Sequence, residues 1–251
     1  GTDYLYPRTT NKILRAFLKT KGVKDVDLLE IYTPFGHRDY QAIVANIKQF
    51  SQGGKTAVLS TINGDSNRPF YQALAKAGVR AKDVPVMAFS IGEVELRSMD
   101  TAVLHGHLAA WNYFMSVKSQ GNAVFTRNWA NYAKAKRIAG HATRPVTSDP
   151  MEAVWIGMHM WRQAVEKAKT TETNAVIAAM AGQRYDAPSG FTVHMDEKNH
   201  HLHKPVMVGE IKRNGQFDVV WQSPGLVKAQ PWSPYIAGND KARDEPARKA
   251  N

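Results

Sequence analysis

An α/β fold built on a parallel sheet is the architecture this sequence predicts. Three observations carry it. Strand-like and helix-like stretches alternate regularly up to Gly92, the pattern of βαβ units with right-handed crossovers. The strand-like stretches are nearly continuous apolar runs, as expected where both faces of a strand are covered. Glycines stand where the helical periodicity stops, at Gly22, Gly53-Gly54 and Gly78.

The elements follow in order. Thr9 to Lys21 reads as an amphipathic helix with Ile13, Leu14, Phe17 and Leu18 on one side. VDLLEIYTP (Val26–Pro34) reads as a strand. Asp39 to Gln52 reads as a helix through Ile43, Val44, Ile47 and Phe50. KTAVLSTI (Lys55–Ile62) is a strand, then NGD, then a helix from Ser66 to Ala77. VPVMAFS (Val84–Ser90) is a strand with a short helix after Gly92, and HGHLAAWNYF (His105–Phe114) is a further strand-like run. An irregular, polar region comes next.

SDPMEAVWIGMHMWRQAVEKA restores helical periodicity. Asp149 is a plausible N-cap, Pro150 fits the first helical position, and Glu152 can close a capping box. Met151, Val154, Trp155, Met158, Trp161 and Val165 give a broad apolar face. Asn174 to Ala181 reads as a shorter helix ended by Gly182. KPVMVGEI and FDVVWQS flank Asn214-Gly215, a strong hairpin signal. After Pro224 the chain is proline-rich and then charged, ending NDKARDEPARKAN, the composition of a disordered tail.

Bulk properties narrow the function. The 251 residues suffice for one large domain or two small lobes. No apolar run approaches the roughly 18 residues of a membrane span, so no membrane insertion is expected. The absence of cysteine excludes disulfides and thiolate chemistry. The net charge of +11 is spread along the chain and mixed with acids, without a dense basic block. It reads as a solvated basic surface, not a nucleic-acid footprint. Walker, dinucleotide and G-x-S-x-G fingerprints are missing, so neither a cofactor nor an enzyme activity is expected. His194, His200, His201 and His203 cluster in HMDEKNHHLH, but their spacing matches no standard zinc pattern.

Candidate binding groups come from one rule. In open parallel sheets, ligands bind beyond the carboxyl ends of the strands. Tyr4 and Tyr6 stand at the first such end, Asn63 and Asp65 at the next, Ser90 and Glu93 at the third. If Tyr4-Leu5-Tyr6 is extended, both phenols project to one face. The same residues also fit plainer roles. The tyrosines can be packed rings with solvated hydroxyls, Asn63 to Asp65 a turn or N-cap, and Ser90 with Glu93 a capping box.

The stretches GTDYLYPRTTNKILRAFL, TINGDSNRPFYQAL, GHLAAWNYF, SDPMEAVWIGMHMWRQAVEKA and NHHLHKPVMVGEI with WQSPG closely resemble the substrate-binding proteins of urea ABC transporters. That family is similar to the short-chain amide sensor of the amidase operon and, further off, to branched-chain amino-acid binding proteins. The resemblance is ordered and collinear from residue 1 to about residue 240. It implies a type I periplasmic-binding (Venus-flytrap) fold: two α/β lobes, three crossing strands, and a hinge that closes on the ligand. It further implies that the chain begins inside a strand and lacks most of the first lobe. Residues 1–106 would then form the main part of the second lobe and 107–203 the segment completing the first. Residues 204–225 would return as second-lobe strands, and 226–251 would be the tail.

By the same resemblance Tyr4 and Tyr6 line the cleft, and the loops at Asn63 and Ser90 match cleft-lining loops by position. The implied ligand is urea or a short-chain amide, the implied partner an ABC transporter permease, and the implied compartment the periplasm. A cytoplasmic amide-sensing regulator of the same fold is the alternative, and branched-chain amino-acid binding a more distant one. An amidohydrolase would need metal ligands or a nucleophile that the sequence does not offer.

Overall fold

The computed structural model of the chain describes residues 1–242. Helix α1 (Leu5–Thr20) opens at Leu5, not Thr9. Pro7 explains the difference: it sits in the first turn, where its missing N–H has no partner to lose. Tyr4 is the N-cap, with extended backbone, and Arg8 N donates to its carbonyl at 3.1 Å. Tyr4-Leu5-Tyr6 is therefore not an extended tripeptide.

The run Val26–Pro34 departs from expectation too. Asp25–Asp27 forms a 3-10 turn, and the remainder is extended but pairs only through a Thr2–Thr33 parallel bridge among the described residues. A strand needs a neighbour along its length, and here the neighbour is residues 1–3 alone.

Helix α2 (Gln41–Ser51) leads to β1 (Val58–Ser60), and α3 (Asn67–Lys76) to β2 (Val86–Ala88). Two single-turn helices, α4 (Glu93–Leu96) and α5 (Thr101–Leu104), precede β3 (Leu108–Trp111). These strands are shorter than the apolar runs that announce them, because the runs extend into buried loop residues such as Ile62 and Phe114. The polar region then holds an unforeseen helix, α6 (Gln120–Ala135), capped by Ser119, whose Oγ accepts from Asn122 N. Helix α7 (Asp149–Ala168) has Ser148, not Asp149, at its N-cap. Helix α8 (Thr173–Met180) follows, its first turn capped by the Glu172 carboxylate.

A small antiparallel sheet comes next: β4 (Arg184–Asp186), β5 (Thr192–Met195) and β6 (Leu202–His203). The expected hairpin closes the fold as β7 (Met207–Ile211) and β8 (Phe217–Gln222), with Gly215 at φ 77° in the turn.

The main sheet has the order β1-β2-β3-β7-β8. β1, β2 and β3 run parallel, and β7 and β8 are antiparallel to their neighbours. The expected parallel sheet is thus a mixed one. Its core includes Phe70, Tyr71, Val86, Ala88, Phe114, Ile211 and Phe217. His107 belongs to this interior: its Nδ1 accepts from Val86 N at 3.1 Å, and burial pushes the ring down to about 4, so it is neutral with its proton on Nε2. Gly209 of β7 lies against the Phe114 ring, where an added Cβ would stand 2.8 Å from Cζ.

A second core joins α7 to the small sheet through Ile156, Met160, Val193 and Met195. The opposite face of α7 leaves Val154, Met158 and Trp161 exposed. Among the described residues no helix is long and apolar enough to cross a membrane. Tyr235 packs edge-on against Phe17 of α1 at 5.2 Å, so the proline-rich segment lies along the fold at this point. The rest of the tail expected to be disordered, residues 243–251, lies outside the described residues.

Candidate functional site

The carboxyl ends of the parallel strands form one rim. Residues 1–3 pair on one side with the Thr33 segment and on the other with the end of β1: Asp3 N donates to Thr33 O at 2.7 Å, and Thr2 N to Thr61 O at 3.4 Å. The order across the rim is therefore Thr33, Thr2, Thr61, then the end of β2 at Phe89. Asn63 N is fixed by Thr2 Oγ1 at 2.9 Å.

Tyr6, Asn63 and Ser90 converge on this rim. The Tyr6 hydroxyl donates to Phe89 O at 3.3 Å. The Ser90 hydroxyl donates to Ile62 O, the residue before Asn63. Asn63 is the N-cap of a 3-10 turn, Gly64–Ser66, but its side chain makes no capping hydrogen bond. Burial raises the Tyr6 phenol above its ordinary value, opposed by a hydrogen bond with Thr10, so the group stays neutral.

Tyr4 turns the other way. Its ring packs edge-on against Phe35 at 5.3 Å, beyond the Thr33 segment. The two phenols thus diverge along the sheet, because helix α1 begins between them. Tyr4 and Phe35 are 54% and 59% exposed, an open aromatic pair beside the polar groups.

Glu93 lies beneath the rim, almost fully buried. Its Oε1 accepts from Met115 N at 2.5 Å, while Oε2 has no partner among the described residues. Burial pushes its carboxyl up to about 8, so near neutrality the acid is mostly protonated. The capping partner of Gly92 N is Glu95 Oε2, at 2.8 Å, so Ser90 and Glu93 do not make the capping box.

Glu93 also touches the junction between the two sheets, where the chain passes three times. The first passage follows β3: Asn112 N donates to Asp149 Oδ1 at 3.1 Å and Asn112 Nδ2 to Pro205 O at 2.6 Å. The second and third, around Val206 and Ser223, are tied by Ser223 N to Val206 O at 2.8 Å and by Val206 N to Ser223 Oγ at 3.0 Å. Lys204 donates to Glu152 Oε2 at 2.9 Å and stands 3.9 Å from Asp149 Oδ1. Glu152 Oε1 accepts from Ser189 N at 2.7 Å. Burial raises the Asp149 carboxyl, against the pull of Lys204.

Sequence reading assigned Glu152 a local capping role and missed this network. Its partners lie 37 and 52 residues away, and no short-range spacing signals them.

The histidines are spread over β5, β6 and the turn between them. His203 Nε2 lies 3.1 Å from Asp196 Oδ2, and His200 Nε2 lies 3.0 Å from Ile177 O. The arrangement ties the small sheet to its turn and to α8.

A family model described as "Periplasmic binding protein domain" matches residues 1–238. Among solved structures, the chain is similar to a solute-binding protein of an ABC transporter from Rhodopseudomonas palustris BisB5, in complex with 3,4-dihydroxybenzoic acid. The TM-score is 0.72 at 16% identity, over 90% of this chain and 59% of that one. A solute-binding protein from Rhodopseudomonas palustris HaA2, in complex with p-hydroxybenzoic acid, gives 0.71 at 20% identity over 92% and 59%. An amino acid ABC transporter substrate-binding protein from Pseudomonas fluorescens Pf-5 gives 0.71 at 14% identity over 88% and 57%. The chain thus spans under two thirds of the length of these neighbours. A curated relative, limonene hydroxylase of Geobacillus stearothermophilus, is 29% identical over 127 residues, which is 50% of this chain and 21% of that protein.

Proposed function

The chain belongs to the periplasmic binding protein domain family, and from that premise we propose that it captures urea or a short-chain amide for an ABC importer. The rim is its half of the binding cleft. The observation that carries this reading is the convergence of Tyr6, Ser90 and Asn63 at adjoining strand ends. All three are uncharged, and each both donates and accepts hydrogen bonds. Urea is neutral and planar, with N–H donors on two sides and one acceptor oxygen. Such a ligand leaves no charge to be matched, and hydroxyls and an amide satisfy it without a cationic clamp.

Capture by closure needs a hinge, and the three passages at Asn112, Val206 and Ser223 are where the bending belongs. Residues 1–106 and 204–225 act as one lobe and 107–203 as part of the other. The partner that reads the closed form is a transporter permease, the compartment is the periplasm, and no covalent step is involved.

A second reading follows from the exposed Tyr4–Phe35 pair. Two neighbours hold hydroxybenzoates, and an aromatic pair at the edge of a polar rim suits a flat ring. Isothermal titration of urea, acetamide, 4-hydroxybenzoate and leucine into the protein separates the readings. Heat from urea or acetamide alone supports the amide ligand. Heat from 4-hydroxybenzoate in their place transfers the site to aromatic acids.

A further inference from the structure

Folding gathers cations that are scattered along the sequence. Helix α6 ends in a turn closed by Ile138 N to Ala133 O at 2.9 Å and Arg137 N to Lys134 O at 3.2 Å. Arg137 takes the left-handed position, φ 50°, that glycine usually fills at a helix end. The segment after it folds back on the α4–α5 stretch and on the β7–β8 turn. The Arg97 guanidinium donates to Gly140 O, Arg144 Nη2 donates to Asn214 O at 3.1 Å, and the Thr101 hydroxyl donates to Arg213 O at 2.6 Å. These ties place Arg97, Lys136, Arg137, Arg144, Lys212 and Arg213 on one continuous surface. All are exposed except Arg97, which is half-buried.

That surface is electrostatically uncompensated. Elsewhere Arg8, Arg15, Lys19, Arg80, Arg162 and Lys204 each pair with a carboxylate. None of the six cations gathered here has such a partner among the described residues. The fixed contacts of Arg97 and Arg144 go to neutral carbonyls, which orient a guanidinium without cancelling its charge. The acids flanking Arg97 in sequence have backbone partners: Glu95 accepts from Gly92 N at 2.8 Å and Asp100 from Ala102 N at 3.0 Å. Two carboxylates against six cations leave the surface strongly positive.

Aromatic rings border the cations. Trp129 Nε1 donates to His141 Nδ1 at 3.3 Å, next to the Gly140 that Arg97 holds. Burial, and then the Arg97 charge, keep the His141 ring below its ordinary value, which suits the bond it accepts. Trp129 also stacks with Tyr132 at 6.1 Å, and Tyr132 is 54% exposed.

We infer that this surface docks the protein on an anionic lipid bilayer, with the phosphates of the headgroups as counter-ions to its cations. Roughly four to eight clustered Lys and Arg side chains suffice to attract a negatively charged leaflet. Long basic stems beside Trp and Tyr rings match the headgroup layer, where charged tips meet phosphate and rings take the boundary. The contact is peripheral, because no described helix is long and apolar enough to cross a membrane. It does not depend on what the rim binds.

The test is sedimentation of the chain with two kinds of vesicle: phosphatidylcholine alone, and phosphatidylcholine with about one third phosphatidylglycerol. Two variants of equal net charge are compared with the parent. The first carries Lys136→Gln, Arg137→Gln, Lys212→Gln and Arg213→Gln, whose side chains hold no hydrogen bond or ion pair among the described residues. The second carries Lys12→Gln, Lys24→Gln, Arg38→Gln and Lys55→Gln, around α1, α2 and the start of β1. The parent is expected to sediment with the anionic vesicles only, and to be released by about 0.5 M salt, where screening acts within about 4 Å. The first variant is expected to lose about tenfold or more in partitioning, and the second about twofold at most. Equal losses in the two variants overturn the inference, since net charge alone would then explain the binding. So does a parent that stays in solution with anionic vesicles, or one that sediments equally with both kinds. A parent that binds polyglutamate and neither vesicle would assign the surface to an acidic protein partner instead.

Discussion

Tyr6 and Ser90 each anchor their hydroxyl to a neighbouring strand end, and under the proposed function that anchoring readies the rim for its ligand. A side chain already held in place loses little freedom on binding. Tyr6→Phe and Ser90→Ala each remove one neutral hydrogen-bonding group, worth about 1 kcal/mol, or roughly fivefold in affinity. Titration of the preferred ligand into both variants checks this; unchanged affinity in both would remove these hydroxyls from the site. Glu93 makes a different kind of statement. Its carboxyl is held near 8 in the fold against an ordinary value near 4.5. Between these values the folded chain keeps a proton that the unfolded chain has lost, so this group's contribution to stability falls as pH rises. Glu93→Gln mimics the protonated acid. It is expected to match the parent near pH 4.5 and to be increasingly more stable than it up to about pH 8. Thermal unfolding of both proteins across that range reads the difference, and a constant difference would contradict the buried-acid account.

At the scale of elements, β7 packs closely on the segment that follows β3 through the contact of Gly209 with Phe114. Gly209→Ala puts a methyl where the ring now lies, and is expected to destabilise the chain by about 1–3 kcal/mol. Chemical denaturation measures it, and a neutral result would mean that the ring has room to move. How far sequence foresaw these elements depends on whether their determinants were local. The β7–β8 hairpin was legible because Asn214-Gly215 specifies its turn. Helices α2, α3 and α7 were legible from periodicity and stop signals. The rim was legible in outline because strand ends are marked by the change from apolar to polar residues. Helix α6 was not, since QGNAVFTRNWANYAKA carries few apolar residues and buries Asn122 beside Phe125. The Tyr4–Tyr6 alignment failed because it required an extended backbone, whereas helix α1 already begins at Leu5 with Pro7 in its first turn. The small sheet β4–β6 escaped because its strands are two to four residues long, too short for any period to register. The long-range charges at the junction left no local trace at all.

Across the whole molecule, the two sheets meet at a junction with one buried cation among carboxylates. Lys204 is 12% exposed at its side chain and Glu152 is fully buried. Lys204→Ala would leave the Glu152 carboxylate uncompensated, and is expected to cost about 3–5 kcal/mol of stability. Lys204→Met combined with Glu152→Gln should recover part of that loss, because no charge is then stranded. If the single variant unfolds no more easily than the parent, the junction is not held by this pair. The central claim, however, concerns the rim, and it is tested most directly by recording backbone amide NMR shifts of the chain during a urea titration kept below denaturing concentrations. Saturable shifts confined to Tyr6, Asn63, Phe89 and Ser90 are the expected result. Small, linear shifts spread evenly over the surface, with none of these amides standing out, would contradict it.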